Sequence, residues 1–329
     1  MEKLLKKLSE AYGPSGREEE VRTLIREELG DRVQEVFTDN LGNLIALRRG
    51  RGKKIMVAAH MDEIGLMVTH IDAEGFLRFS SIGGLQPASL VGRRFLLPGG
   101  VAATAGVEKP EDLKDLEFKK LYLDIGARNK EEAQRQVKIG DVAVFESSFT
   151  TAGRRYSGKA MDDRVGCAIL LKTLDQIHTD HEVSFVFTVQ EEVGLRGART
   201  AAYRLNPDIG LAVDVTRSGD TPEAARMAVS LGKGPAVKVK DSSILAHPRV
   251  KNRMMAVAEK EGIPYQLEIL ERGGTDAGAI HITREGVPSG VMSIPCRYIH
   301  TAAEMVDADD VDQACRFLAA LLEDPWETL

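Results

Sequence analysis

Short apolar runs recur along the chain, and they end in a histidine or a carboxylate. Ile55-Met-Val-Ala-Ala59 runs into His60-Met-Asp62, and Val183 to Val189 delivers Glu191-Glu192-Val-Gly194. Ile209-Gly-Leu-Ala-Val213 stops at Asp214, and Gly290-Val-Met-Ser-Ile294 leads through Pro-Cys-Arg-Tyr-Ile to His300. Continuous apolar runs of this length between turn signals predict strands buried on both faces of a parallel sheet. Open α/β sheets bind ligands at the carboxyl ends of such strands. Two histidines and several carboxylates at one sheet edge make a mixed nitrogen and oxygen donor set of the kind metal sites use.

Between these runs the periodicity is helical. Ser15-Gly-Arg-Glu18 has the form of a capping box, and Val21, Leu24, Ile25 and Leu29 follow at helical spacing, which predicts a helix over 17–29. Further helices are expected over 164–174, 195–203, 249–261 and 309–322, with another strand over 265–270. Asn40-Leu-Gly-Asn43 reads as a hairpin turn. From about Val68 to Ser157 the texture changes. Ala73-Glu-Gly75, Gly83-Gly84, Pro98-Gly99-Gly100 and Ile139-Gly140-Asp141 punctuate short alternating runs such as Phe76 to Phe79, Phe95 to Leu97 and Val142 to Phe145, broken mainly at Glu131 to Gln136. The expected fold is α/β: a discontinuous domain of residues 1–67 and 157–329, with a mixed, largely parallel sheet sandwiched by helices, interrupted by a β-rich segment of residues 68–156.

Composition narrows the partners. The 329 residues are 43% hydrophobic and 29% charged, ordinary for a globular protein with a sizeable core. A net charge of −6 without a basic run gives a nucleic acid or an anionic membrane no electrostatic support. The start, Met1-Glu-Lys-Leu-Leu-Lys-Lys-Leu8, is amphipathic and charged throughout, unlike a secretory signal, and nothing approaches a membrane-spanning run. Three scattered cysteines, 167, 296 and 315, fit reduced cytosol, and a cytoplasmic protein is expected. All three read as buried side chains.

Each candidate residue also has an ordinary explanation. His60 alone is a strand-end histidine satisfied by a carbonyl; paired with Asp62 by alternation, it has a carboxylate to accept from its ring and fix its tautomer. Asp162 and Asp163 at a helix N-terminus complement the helix dipole, yet adjacent acids point apart, so one can ligate while the other caps or pairs with Arg164. Asp214 can cap a turn containing Thr216 and Ser218, and His300 can be a loop histidine. Glu191-Glu192 is harder to dismiss, because adjacent carboxylates at a strand end require a nearby cation or one raised pKa. Either suits a metal ligand beside a general base. The ordinary explanations do not account for all these residues sharing one topological edge.

The stretches His60-Met-Asp-Glu-Ile-Gly65, Gly158-Lys-Ala-Met-Asp-Asp-Arg-Val-Gly166, Val189-Gln-Glu-Glu-Val-Gly194, the Asp214 strand end, Gly273-Gly-Thr-Asp-Ala277 and Arg297-Tyr-Ile-His-Thr301 resemble, in order along the whole chain, the tetrahedral di-metal aminopeptidases. That family also carries the names glutamyl aminopeptidase and endoglucanase M. The resemblance implies a zinc-peptidase-like sheet and two divalent metal ions, Zn, Co or Mn. His60 and Asp214 would hold one, Glu192 and His300 the other, with Asp162 bridging. It gives Glu191 the general-base role toward a water between the metals, and Asp62 a supporting role behind His60. It further implies peptide substrates with a free N-terminus and a PDZ-like insertion carrying dimer contacts in a dodecameric tetrahedral shell. Relatives commonly have a Lys-Pro-Pro-His-like stretch in that insertion where this chain has Glu108-Lys-Pro-Glu111, a departure that touches assembly rather than metal chemistry.

The glycine-rich turn before Gly274, Thr275 and Asp276 allows close backbone approach and is placed at the substrate pocket; the alternative is a tight turn with Asp276 capping the next helix. A glycosidase is the distant rival, since it needs two carboxylates and no metals, but 5% aromatics with one Trp offer few sugar platforms. A related di-metal deacylase or carboxypeptidase is the nearer one.

Overall fold

Four apolar runs become four adjacent parallel strands, in the spatial order Glu182–Thr188, Lys54–His60, Ile209–Arg217 and Ser289–Arg297. The computed structural model describes residues 1–109, 116–224 and 226–326. Alternation explains why these runs are apolar throughout. Ile55, Val57 and Ala59 pack on one face with Val165, Ile169 and Phe317, while Met56 and Ala58 pack on the other with Ala198, Ala201 and Ile280. Helices Met161–Thr173 and Ala308–Glu323 therefore cover one face and Arg196–Leu205 the other.

Antiparallel strands extend the sheet on both sides. The hairpin Glu35–Thr38 and Leu44–Arg48 lies beyond Glu182–Thr188. Glu304–Asp307, Arg155–Gly158 and Thr150–Ala152 lie beyond Ser289–Arg297. Ala236–Lys240 and Gln266–Ile269 branch from the same strand, which brings the sheet to eleven strands among the described residues. The α/β fold with a mixed sheet is as the sequence predicts. One strand runs longer than the apolar pattern indicated: it passes Asp214 and continues to Arg217, because Val215 still packs in the core and Thr216 is buried.

The segment of changed texture forms a closed six-stranded barrel of Gly65–Ile71, Leu77–Ile82, Arg94–Leu97, Val101–Val107, Leu121–Asp124 and Val142–Phe145. Closure leaves no open sheet edge. The barrel has its own apolar core, including Leu66, Val68, Leu77, Leu97 and Leu123, with the Phe95 and Phe145 rings stacked 4.8 Å apart. The helix Lys130–Gln136 follows its cap Asn129, whose side chain accepts from the Glu132 amide. Glu108 of the departing stretch pairs with Arg78 at 2.7 Å, while Pro110 and Glu111 lie outside the described residues.

The helix expected over 17–29 spans Glu19–Leu29, but Ser15 and Glu18 do not form a capping box. Its N-terminus has no side-chain cap, because both residues are buried and bonded to other parts of the chain. The sequence pattern was met, but tertiary partners outcompeted the local one.

The loop after Arg217 is fastened by Asp220, which accepts from Arg297 Nε and Nη2 at 3.0 and 2.8 Å, from Ser218 Oγ at 2.7 Å and from the Leu231 amide at 3.0 Å. The bidentate guanidinium holds the Asp220 carboxyl well below the usual carboxylate range. The unfolded chain then binds more protons than the folded one on acidification. Asp220 thus contributes stability that is present above an ordinary Asp pKa of about 4 and is lost as pH falls toward the folded value. Asp220→Asn is expected to cost about 1–3 kcal/mol at neutral pH. Paired melting curves should show the gap to wild type narrowing from about pH 5 to about pH 3; a gap independent of pH would contradict the assignment.

Candidate active site

The predicted residues converge where the parallel strands end. His60 is the last residue of its strand, and its Nδ1–H donates to the Asp62 carbonyl oxygen at 3.0 Å. The Asp62 carboxylate, expected to take that proton, is 3.6 Å away at Oδ1. It instead accepts from the amides of Glu191 and Glu192 at 2.9 and 3.2 Å and from Ser15 Oγ at 2.6 Å. With Nδ1 committed to the Asp62 carbonyl, Nε2 is the ring nitrogen that faces inward. It lies 3.0 Å from Asp162 Oδ1, 3.9 Å from Glu191 Oε2 and 4.0 Å from Asp214 Oδ1.

His300 repeats the arrangement from the other side. Its Nδ1–H donates to the carbonyl of Gly84, in the loop after a barrel strand, at 3.0 Å. Its Nε2 is 3.1 Å from Glu192 Oε1 and 3.3 Å from Asp162 Oδ2. The two oxygens of Asp162 thus face two different imidazoles. Gly83, with φ +75°, must be glycine here: a Cβ would sit 2.9 Å from Glu192 Oε2 and 2.5 Å from Ile64. Glu304 ties the two sides together by accepting from the His300 amide at 2.7 Å and the Asp162 amide at 2.9 Å. Asp163 points the other way, as adjacency required. It caps its helix by accepting from the Gly166 amide at 3.1 Å and takes the His60 amide at 3.2 Å, and Arg164 pairs with Glu63.

Burial opposes charge on these carboxylates. It pushes Glu191 well above the usual range, aided by Asp214 and Glu192, and pushes Asp214 up, aided by Asp162. Glu192 and Asp163 are raised for the same reason. Asp162 is buried too, but the His300 and His60 imidazoles hold it below its ordinary value. Against burial, Glu192 and Asp162 push His300 up to about 12, and carboxylates also raise His60.

The residues fit divalent cations on the donor chemistry alone. His60, Asp162 and Asp214 place one donor atom each within 4.8 Å of one another, and so do Asp162, Glu192 and His300. Both imidazoles turn Nε2 toward carboxylate oxygens, the positions from which a shared cation would draw its donors. Glu192 Oε1 is buried with no hydrogen-bond donor, as a ligand atom would be. Oxygen-rich sets with imidazole and no thiolate suit divalent first-row metals.

Of Gly274, Thr275 and Asp276, Asp276 is tied to this centre, while Gly274 and Thr275 pack against Ser243. Asp276 begins the short helix Ala277–Ile280 but does not cap it through its side chain. Its Oδ2 accepts from Thr188 Oγ1 at 2.5 Å, and Thr188 is the register partner of His60. Asp276 Oδ1 and Thr275 Oγ1 are buried without partners, and burial pushes Asp276 up to about 6. Four residues at the site were not read from sequence as site residues: Ser15, Glu18, Gly84 and Glu304. For Ser15 and Glu18 the only signal was polar residues before a helix that fit a local motif equally well. Gly84 acts through its carbonyl, and Glu304 carried no distinguishing pattern.

The sequence matches the family described as M42 glutamyl aminopeptidase over residues 42–317. A lysyl aminopeptidase of Pyrococcus furiosus is 38% identical, with 98% of this chain and 96% of the relative covered. An aminopeptidase from the archaeon Desulfurococcus kamchatkensis has the same fold at a TM-score of 0.95 and 41% identity, covering 98% of this chain and 94% of that one. A Pyrococcus horikoshii peptidase that assembles into a tetrahedron or a large octahedral shell matches at a TM-score of 0.88 and 32% identity, covering 98% and 99%. With the match spanning the sheet, the barrel and the site at the strand ends, the chain belongs to the M42 family of metal-dependent aminopeptidases, exopeptidases of the hydrolase class.

Proposed function

We propose that this aminopeptidase holds two divalent metal ions, Zn, Co or Mn, and removes residues from peptides that carry a free N-terminus. The observation that carries the proposal is the pair of donor sets sharing Asp162, with Glu191 beside them but in neither. His60 and Asp214 would hold one ion, Glu192 and His300 the other, and Asp162 would bridge. Bound there, the ions supply Lewis acidity, lowering the pKa of water and polarising the scissile carbonyl.

The protein's own groups do the rest. Glu191, whose Oε2 is 3.9 Å from His60 Nε2, takes the proton of the attacking water and returns it to the leaving amine. Asp62 orients the turn through the amides of Glu191 and Glu192, and its carbonyl fixes the His60 tautomer. Gly274, Thr275 and Asp276 border the substrate pocket, the turn being tied to the strand end by the bond between Asp276 and Thr188, the register partner of His60.

The catalytic unit comprises residues 1–67 and 157–329, and residues 68–156 form a PDZ-like unit carrying dimer contacts; the barrel strand Gly65–Ile71 straddles the first boundary, and Thr150–Ala152 and Arg155–Gly158, at the second, pair into the large sheet. Dimers assemble into a dodecameric shell, a reading supported by the shells of the Pyrococcus horikoshii peptidase. No described helix is long and apolar enough to cross a membrane. Three buried free thiols support a cytoplasmic location.

The test is a panel of chromogenic aminoacyl amides, free and N-acetylated, assayed after chelation and after return of Zn, Co or Mn. Turnover is expected only with metal and only on free amines, and the panel also reads the side-chain preference. Cleavage of blocked substrates would favour a deacylase or carboxypeptidase, and activity persisting in chelator would remove the metal from the reaction.

A further inference from the structure

The carbonyls of the turn carrying Glu191 and Glu192 are taken by its own backbone, with the Gly194 and Leu195 amides on Glu191, the Arg196 amide on Gln190 and the Gly197 amide on Val189, but its amides are held from outside. Four consecutive amides each donate to a side chain from elsewhere in the chain. Val189 donates to Asn43 Oδ1 at 3.0 Å and Gln190 to Glu18 Oε1 at 3.2 Å; Glu191 and Glu192 donate to the two oxygens of Asp62 at 2.9 and 3.2 Å. Gln190 sits at φ +55°, a left-handed conformation that a residue with a side chain adopts only when its surroundings enforce it.

The holders are themselves fixed. Asn43 is wholly buried, and its amide nitrogen donates to Asp39, the Gly197 carbonyl and Thr200. Gly197 has no side chain because a Cβ would meet Asn43 Oδ1 at 2.3 Å. Glu18 is 3% exposed, and the same Oε1 accepts from the Gly16 amide at 2.6 Å. Ser15 Oγ donates to Asp62 Oδ2 at 2.6 Å. The segment bearing Ser15 and Glu18 is stitched to the strand end beyond His60: the Gly13 amide donates to Glu63 Oε1, the Ser15 amide to the Glu63 carbonyl and the Glu63 amide to the Gly13 carbonyl. Ser15 and Glu18 both precede residues 42–317, the extent of the family match.

We infer that Ser15 and Glu18 are positioning residues for peptide hydrolysis: through Asp62 and the Gln190 amide they fix the turn from which Glu191 reaches the attacking water. The inference rests on the general-base reading of Glu191. A base on a long flexible side chain acts at a defined distance only if its own backbone is immobile, and a displacement of about 1 Å costs on the order of 10²-fold in rate. Because Glu18 uses one oxygen for both amides, a glutamine, which keeps a carbonyl oxygen at that position, should serve almost as well. An alanine should not.

The experiment is a double-mutant cycle on the metal-loaded enzyme, with metal content and melting temperature measured on every variant. Glu18→Ala is expected to lower kcat by about 10–100-fold with KM little changed, and Glu18→Gln to recover most of that loss. Ser15→Ala should lower kcat less, since Asp62 keeps its bonds to the turn. In the Glu191→Gln background, Glu18→Ala should cost almost nothing further, because the group it positions is gone. Hydrogen exchange of a peptide covering residues 189–194 should accelerate in Glu18→Ala but not in Glu18→Gln. Equal losses in both backgrounds, equal losses for Ala and Gln, or unchanged exchange would each overturn the inference. Near-normal turnover of Glu191→Gln alone would instead remove the general-base reading, and with it the route by which Glu18 acts.

Discussion

Glu191→Gln is expected to lower kcat by roughly 10²–10⁴-fold while leaving fold and metal content intact. The substitution preserves shape and the hydrogen bond from the residue-191 backbone N–H to Asp62, and removes the carboxylate that would accept a proton. Glu191 belongs to neither donor set, so both sets keep every member. Burial and the neighbouring Asp214 and Glu192 already oppose its charge, so a neutral amide should not destabilise the protein. Glu192→Gln provides the contrast: it weakens a donor facing His300 Nε2 at 3.1 Å and should lose metal as well as rate. Elemental analysis, melting temperature and steady-state kinetics on the pair separate the roles. If Glu191→Gln kept near-normal turnover with full metal content, Glu191 would not be the base.

Glu63→Gln is expected to be the most damaging single change for stability, at about 3–5 kcal/mol. Glu63 sits between two buried cations: Lys159 Nζ lies 2.7 and 2.8 Å from its oxygens, and Arg164 Nη2 lies 3.3 Å away. The trio carries one net positive charge. Without the carboxylate it becomes two adjacent buried cations, and Lys159, already lowered by burial, would have to give up its proton. Lys159→Met brings the same trio to neutrality and leaves Arg164 with its partner, so it should cost clearly less. Arg164 also donates to the carbonyls of Met61, Leu8 and Gly13, which binds the N-terminal segment to the strand end at His60. Melting temperatures should therefore fall in the order wild type, Lys159→Met, Glu63→Gln. The reverse order of the two variants would mean that the carboxylate is not the element that balances this buried charge.

The central strands could be read from sequence because a strand buried on both faces has no polar positions to spare. The residues at which each run broke, His60 and Glu191-Glu192 among them, were therefore conspicuous. The adjacent acids were also legible, since neighbouring side chains diverge: Asp162 faces the histidines while Asp163 caps the helix. What failed were bonds between segments remote in sequence. Ser15 and Glu18 satisfied a local capping pattern that the fold does not use, because Asp62 and the Gln190 amide are competing partners that only the tertiary structure supplies. The pairing of His60 with the Asp62 carboxylate was right about which two residues meet and wrong about which oxygen takes the proton. Backbone carbonyls leave no mark in a sequence, and Gly84 could be read only as part of a turn.

The Gly84 carbonyl has a consequence for dissecting the molecule. It comes from the barrel, yet it sets which nitrogen of His300 faces the carboxylates. Excising the barrel and closing the gap with a linker would leave every proposed metal ligand in the chain, but the His300 ring would be free to flip. A minimal enzyme cut down to the large sheet is therefore not simply this enzyme without its outer module, and a graft from a relative must return one carbonyl oxygen to the same point in space.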